Sequence, residues 1–230
     1  MKTIGLLGGM SWESTVPYYQ IINRTINGQL GGLHSAKIVL HSVDFHEIEQ
    51  LQHAGEWDRT ATILARAGRS LEAAGADCLV LCTNTMHRVA DAIQAAIKIP
   101  LLHIADAVAS RVKDSGIRSI GLLGTKFTME QAFYRDRLSD IHGLGVLTPD
   151  EQQRDRIHQI IYEELCVGQI KDESRAEFSA IIRDLADRGA QATILACTEI
   201  SLLVKQDDSP VPLFDTTEIH ARVAAMWALS

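Results

Sequence analysis

Two short polar segments carry the residues of this 230-residue chain that are best suited to proton transfer. Thr83-Asn84-Thr85 and Cys197-Thr198-Glu199 each follow an apolar run. Each segment begins with a side chain that can donate or accept a proton, and the residues that follow are suited to cap a helix and bind a carboxylate. The two segments therefore predict acid–base chemistry on a small ligand.

An internal repeat relates the two segments. Three pairs of segments match in the same order: 75–85 with 189–199, 3–8 with 119–124, and 99–102 with 211–214. The register sets Thr83 opposite Cys197 and Cys82 opposite Ala196. Because successive strand residues point to opposite faces, only one of Cys82 and Thr83 faces the ligand, and the repeat selects Thr83. The alternative for Cys197 is one more buried, inert thiol.

Short apolar runs alternate with longer helical patterns, which is typical of a parallel sheet with crossover helices. The predicted strands are 3–8, 36–42, 77–82, 100–104, 118–123, 143–147, 192–196 and 211–214. Helices are predicted over 57–74 and 173–188, and Gly75 and Gly189 are predicted to stop them.

The repeat predicts two similar α/β domains, residues 1–105 plus 215–230 and residues 106–214. The last helical pattern, 215–228, is expected to fold back onto the first domain. Ligands of parallel α/β sheets bind beyond the carboxyl ends of the strands, so we expect the active site in a cleft between the domains.

The loops after the first strand of each half, 8–15 and 124–128, are further candidates, although a tight turn without a ligand explains either one alone. Gly5, Gly8 and Gly9 do not have the spacing of a dinucleotide-binding loop, so a nicotinamide cofactor is disfavoured.

Composition limits the classes of partner that the protein can bind. The formal net charge is −7 and Lys/Arg runs are absent, which argues against nucleic acid and anionic membrane surfaces. No apolar stretch approaches the roughly 18 residues that span a bilayer, and we expect a cytoplasmic protein. The four cysteines lack C-x-x-C spacing and the nine histidines lack zinc-site spacing, so reduced thiols and no metal are predicted.

Gly8-Gly9-Met10, Asn84-Thr85 and Cys197-Thr198-Glu199 resemble the cofactor-independent aspartate/glutamate racemase family over nearly the full length of the chain. The resemblance implies two flavodoxin-like three-layer domains with parallel four-stranded sheets, related by a pseudo-two-fold axis, in a homodimer. It also implies an amino-acid substrate held between two acid/base residues, Thr83 and Cys197, without pyridoxal phosphate.

One departure from the family pattern concerns the first of these residues. The family reads Pro-Cys-Asn-Thr where this chain has Cys82-Thr83-Asn84-Thr85. An alcohol is a far weaker acid than a thiol, and each pK unit between them corresponds to about 1.4 kcal/mol. We therefore expect Cys197 to deprotonate one enantiomer efficiently while Thr83 reprotonates the opposite face, which leaves the reverse direction slow.

The residues that would recognise the substrate side chain also depart from the family pattern. Family aspartate racemases carry an Arg where this chain has Phe45 and a Lys where it has Cys166, and Lys126 is the candidate replacement. Without those cations we expect tolerance of uncharged side chains such as homoserine, besides aspartate and glutamate. The residues predicted to bind the substrate are Met10, Gln52, Asn84, Thr85, Lys126, Thr128, Thr198 and Glu199.

Two other functions remain open on the sequence. The same scaffold could use a single cysteine to decarboxylate a malonate or to isomerise maleate. A non-catalytic small-ligand binding protein is the third reading. Uptake of solvent deuterium at Cα separates a racemase from a binder, which leaves that hydrogen in place.

Overall fold

Two four-stranded parallel sheets form the framework of the chain, for which the computed structural model describes all residues, 1–230. The strands of the first sheet are β1 (Ile4–Gly8), β2 (Ile38–Ser42), β3 (Cys78–Leu81) and β4 (Leu101–Leu102). Those of the second are β5 (Ser119–Gly124), β6 (Gly145–Leu147), β7 (Ala192–Ala196) and β8 (Leu213–Asp215). Their orders, β2-β1-β3-β4 and β6-β5-β7-β8, are equivalent.

Helices connect the strands. They are α1 (Trp12–Leu30), α2 (Phe45–His53), α3 (Trp57–Ala73), α4 (Ala90–Ala95), α5 (Ile104–Asp114), α6 (Lys126–Glu130), α7 (Ala132–Asp136), α8 (Glu151–Glu163), α9 (Asp172–Asp187), α10 (Ile200–Leu203) and α11 (Thr216–Leu229). Short 3₁₀ segments cover Thr85–Val89, Leu165–Val167 and Gln206–Asp208, and Arg137–Ile141 forms a π-helical turn. The predicted α/β class, with two parallel four-stranded sheets, is confirmed, and all eight predicted strands are present.

The chain divides into two compact units. Unit 1 comprises Met1–Ile104 and His220–Ser230, and unit 2 comprises Ala105–Ile219. Unit 1 is therefore discontinuous in sequence, since most of α11 belongs to it.

The alternation of side chains along β3 builds a separate core on each face of the first sheet. Leu79 and Leu81 pack in a cluster with α3, whereas Cys78, Val80 and Cys82 pack against α1 and α11. Burial raises the pKa of the Cys78 thiol to about 12 and that of Cys82 higher still. Both cysteines are thus buried thiols in the core of the first sheet.

The predicted helix stops are confirmed. Gly75 follows the end of α3 with φ 91°, and Gly189 follows the end of α9 with φ 101°. Glycine adopts this left-handed backbone without the steric cost that a Cβ imposes. Each glycine turns the chain back toward the next central strand. No helix combines the length and apolar character required to cross a membrane.

Two alanine substitutions test how tightly β1 is packed. A Cβ at Gly5 would lie 2.9 Å from the Ala76 Cβ and 3.0 Å from the Cys78 carbonyl oxygen. We expect Gly5→Ala to lower the free energy of unfolding by about 1–3 kcal/mol, because this overpacks the sheet. Gly28, in α1, has open space around it. Gly28→Ala is expected to raise the free energy of unfolding by about 0.5–1 kcal/mol, because alanine loses less conformational freedom than glycine when the helix forms. Urea unfolding followed by circular dichroism measures both, and a Gly5→Ala protein as stable as Gly28→Ala would contradict the packing.

Candidate active site

The central strands of unit 1 end at one edge of the first sheet. Leu7 of β1 pairs with Leu81 of β3, and the Cys82 N–H donates to the Leu7 carbonyl oxygen at 2.9 Å. The Gly9-Met10 loop and Thr83 therefore emerge at the same edge. Thr83 and Met10 are buried, as is Gln52 of α2.

Unit 2 repeats this arrangement. Gly124 of β5 pairs with Ala196 of β7, so Thr125 and Cys197 emerge at the same edge of the second sheet. The Thr125 side chain caps α6 by accepting a hydrogen bond from the Thr128 N–H at 3.4 Å. The residues predicted from this loop, Lys126 and Thr128, lie on α6.

The predicted helix-capping role of the polar segments is wrong. Neither Asn84 nor Glu199 makes a side-chain cap hydrogen bond. Their backbones are already helical, at φ −78°, ψ −49° and φ −83°, ψ −22°, whereas a capping residue needs an extended backbone to turn its side chain back to the helix. Their side chains thus have another use.

Cys197 lies in a compact hydrogen-bonded group with the two residues after it. Its Sγ donates to the Glu199 Oε2 at 3.2 Å, and the Thr198 hydroxyl donates to the same oxygen at 2.6 Å. All three residues are buried. One carboxylate oxygen of Glu199 therefore accepts hydrogen bonds from both a thiol and a hydroxyl.

The short helix that follows Cys197 does not lower the pKa of its thiol. Burial, and next the negative charge of Glu199, raise this pKa well above its ordinary value. The following helix, α10, has only four residues and begins at Ile200, so its N-terminus does not offset these effects. At rest Cys197 is a neutral thiol hydrogen-bonded to a carboxylate.

Lys126, the predicted replacement cation, is engaged within unit 2. Its ammonium group is hydrogen-bonded to the Asp155 carboxylate, and this bond raises the pKa of Lys126 and lowers that of Asp155. Its backbone N–H donates to the His158 Nδ1 at 3.3 Å. The lysine charge is compensated before any ligand binds.

His87 was not singled out by the sequence, although it contacts a predicted site residue. Its Nδ1 lies 2.7 Å from the Thr83 carbonyl oxygen. The only sequence signal is its position four residues after Thr83, a spacing that places a side chain over the preceding turn.

Comparisons with known proteins converge on one family. The family model described as Asp/Glu/Hydantoin racemase matches residues 7–224. A crystal structure from Yersinia pestis, of a protein provisionally assigned as an Asp/Glu racemase, is 58% identical with a TM-score of 0.94, and 100% of each chain is covered. An aspartate racemase homologue from Pyrococcus horikoshii OT3 is 34% identical with a TM-score of 0.85, again over 100% of both chains. The broad specificity amino-acid racemase RacX of Bacillus subtilis is 23% identical over 224 residues, 95% of each chain.

The contact between Cys197 and Glu199 gives a direct test of the thiol environment. Glu199→Gln keeps the side-chain size and an oxygen acceptor but removes the negative charge that helps to raise the thiol pKa. We expect the thiol pKa to fall and alkylation of Cys197 at a fixed alkaline pH to become severalfold faster, measured by mass spectrometry of the Cys197 peptide.

Glu164→Gln is the matched control, because Glu164 is also a buried carboxylate of unit 2, held by the Ser174 hydroxyl at 2.6 Å. Its alkylation rate at Cys197 is expected to equal that of the wild-type protein. If Cys197 in Glu199→Gln were alkylated no faster than in this control, the Glu199 charge would not be a cause of the raised thiol pKa.

Proposed function

Because the chain belongs to the Asp/Glu/hydantoin racemase family, we propose that it inverts the Cα configuration of aspartate and glutamate by two proton transfers. The observation that carries the proposal is the hydrogen bond from the Cys197 thiol to the Glu199 carboxylate. Cys197 directly follows β7, which is equivalent to β3, the strand that precedes Thr83. Cys197 and Thr83 are the two acid/base residues in this proposal. Since neither repeat-matched position is a lysine, the reaction is proposed to use no pyridoxal phosphate.

The Cys197 half-reaction needs a thiolate, and Glu199 supplies a means to form one. The thiol passes its proton to the Glu199 oxygen, 3.2 Å away, and the sulfur then removes the Cα proton of the substrate. The electron pair of the broken C–H bond stays on the substrate, delocalised toward its α-carboxylate. Thr198 keeps the Glu199 carboxylate in place through its own hydrogen bond of 2.6 Å.

The Thr83 half-reaction delivers a proton to the opposite face of the same carbon. The hydroxyl gives up its proton to Cα and takes another from water, and the hydroxide left behind is neutralised by the thiol proton that Glu199 had accepted. It is a poor base in the reverse direction, because each pK unit between an alcohol and a thiol corresponds to about 1.4 kcal/mol. The two directions are therefore proposed to differ in rate.

The substrate α-carboxylate is proposed to bind Asn84 and Thr85 through side chains and backbone N–H groups, and Thr198 through its backbone N–H, since the Thr198 hydroxyl donates to Glu199. Met10 and Gln52, both buried in unit 1, are proposed to line the pocket.

Side-chain selectivity is proposed to be loose. Phe45 and Cys166 stand where family aspartate racemases have cations, and Lys126 already has Asp155 as its partner. If Lys126 bound the distal carboxylate of a substrate, its ion pair with Asp155 would have to break. The broad specificity of the Bacillus subtilis relative supports tolerance of uncharged side chains such as homoserine.

Directionality is tested with both enantiomers of one substrate. At saturating substrate, initial rates of inversion in deuterated water are expected to differ by about tenfold or more between the L and D forms, since a hydroxyl replaces the second thiol. The KM values are expected to differ in proportion, because enantiomers have equal free energies and kcat/KM must be the same in both directions. Thr83→Cys is expected to narrow the gap by accelerating the slow direction. Equal rates in the wild-type protein would remove the role given to Thr83.

Substrate breadth is tested with a panel of L- and D-amino acids by chiral chromatography. Aspartate, glutamate and homoserine are all expected to be inverted, and Cys197→Ala is expected to lose activity on each. Strict dependence on a distal carboxylate would overturn the proposed tolerance. Release of carbon dioxide from a malonate without inversion of any amino acid would instead favour a decarboxylase.

A further inference from the structure

Both ring nitrogens of His87 are hydrogen-bonded inside unit 1, where the residue is 3% exposed. Nδ1 lies 2.7 Å from the Thr83 carbonyl oxygen, and Nε2 lies 3.2 Å from the Ile104 backbone nitrogen. A carbonyl can only accept and a backbone N–H can only donate. The partners therefore assign the proton to Nδ1 and the lone pair to Nε2, which is one tautomer of a neutral imidazole.

The first contact replaces a missing main-chain hydrogen bond. In an α-helix the His87 N–H would donate to the Thr83 carbonyl, four residues earlier. Here the segment is a 3₁₀ turn, and this N–H donates to the Asn84 oxygen at 3.1 Å. The Nδ1–H of the imidazole therefore donates to the Thr83 carbonyl in place of the backbone N–H that an α-helix would provide.

The second contact fastens this turn to another element. Ile104 is the first residue of α5, and the first N–H groups of a helix have no acceptor within it. The His87 Nε2 accepts one of them. One side chain thus ties Thr83, two residues beyond the end of β3, to the start of α5, the helix that follows β4.

Two further histidine rings pack beside His87. The His103 and His220 rings lie 4.4 Å and 6.0 Å from the His87 ring. The His220 Nε2 donates to the Leu102 carbonyl oxygen at 2.8 Å, and its Nδ1 accepts from the Tyr18 hydroxyl at 3.0 Å. Burial lowers the pKa of His220 to about 4. A protonated His87 would direct an N–H at the Ile104 N–H, so protonation breaks the second contact.

We propose that His87 is a positioning residue that holds the Thr83 backbone in the orientation needed for its half-reaction. This inference rests on the proposed function. An error of about 1 Å in the placement of a reacting group costs on the order of 10²-fold in rate, so loss of the carbonyl contact should slow the Thr83 step specifically.

The wild-type protein gives the first test. Long-range ¹H–¹⁵N spectra distinguish the two neutral tautomers and the imidazolium, and His87→Asn identifies the His87 signals by their loss. The Nδ1–H tautomer is expected at neutral pH. The Nε2–H tautomer or an imidazolium would overturn the inference whether or not any other variant folds.

Two conservative variants separate the two contacts. Asparagine places an N–H₂ near the position of Nδ1, so His87→Asn keeps a donor for the Thr83 carbonyl. Glutamine reaches the position of Nε2, so His87→Gln keeps an acceptor for Ile104 and loses the Thr83 contact. Tyr18→Phe is the matched control, because it removes a buried hydrogen bond to His220 in the same cluster.

The readout is the partition of the deprotonated substrate in deuterated water, starting from the enantiomer that Cys197 deprotonates. Deuterium in the recovered enantiomer reports return at the Cys197 face, and inverted product reports delivery by Thr83. We expect His87→Gln to lower the ratio of product to returned deuterium by about tenfold or more. His87→Asn and Tyr18→Phe are expected to keep a ratio near that of the wild type.

The outcomes distinguish the inference from the proposed function. If the wild type exchanges no Cα hydrogen in any amino acid, the proposed function fails and the positioning role fails with it. If the wild type racemises but folded His87→Gln loses product and returned deuterium in equal proportion, only the positioning role fails.

Discussion

The parallel pairing of the two central strands in each sheet is the constraint on which the candidate site depends. Leu7 pairs with Leu81 in the first sheet and Gly124 with Ala196 in the second, and these registers fix where each chain segment leaves its sheet. Slipping β3 by one residue would exchange the faces of Cys82 and Thr83. Because both faces of β3 are buried in separate clusters, such a slip would disrupt the packing on both sides.

The two halves hold their equivalent residues by different means. In unit 1 the contact is made through the backbone, since the Thr83 carbonyl accepts from the His87 ring. In unit 2 the Cys197 sulfur itself is bonded, through a carboxylate two residues later. The difference fits the chemistry proposed for each residue: a thiol needs a nearby group to take its proton, whereas a hydroxyl that relays protons with water needs placement above all.

Patterns that depend on local sequence predicted the framework well. The apolar runs located β1 through β8 because a buried parallel strand needs apolar residues on both faces, and Gly75 and Gly189 marked helix ends because few other residues adopt their backbone. The internal repeat also paired Thr83 with Cys197, and these residues follow the equivalent strands β3 and β7.

Features set by tertiary environment were not predictable in this way. The prediction that Asn84 and Glu199 cap helices was wrong because of backbone angles that residue types do not encode. The raised thiol pKa of Cys197 comes from its burial and from the charge of Glu199, and neither effect can be read from the local sequence. His87 was missed because its partner in the second contact, Ile104, is 17 residues away and becomes a neighbour only after the sheet has formed.

The return of α11 to the first sheet has a consequence for biosynthesis. The Lys2 N–H donates to the Ala228 carbonyl at 2.9 Å, and four alanines of this helix, 221, 224, 225 and 228, complete the cluster beneath β1 and β3. Unit 2 ends at Ile219, so these alanines are translated only after the whole of unit 2. On a nascent chain the face of β1 and β3 that packs against α11 therefore stays uncovered from the synthesis of the first strands until α11 has been made.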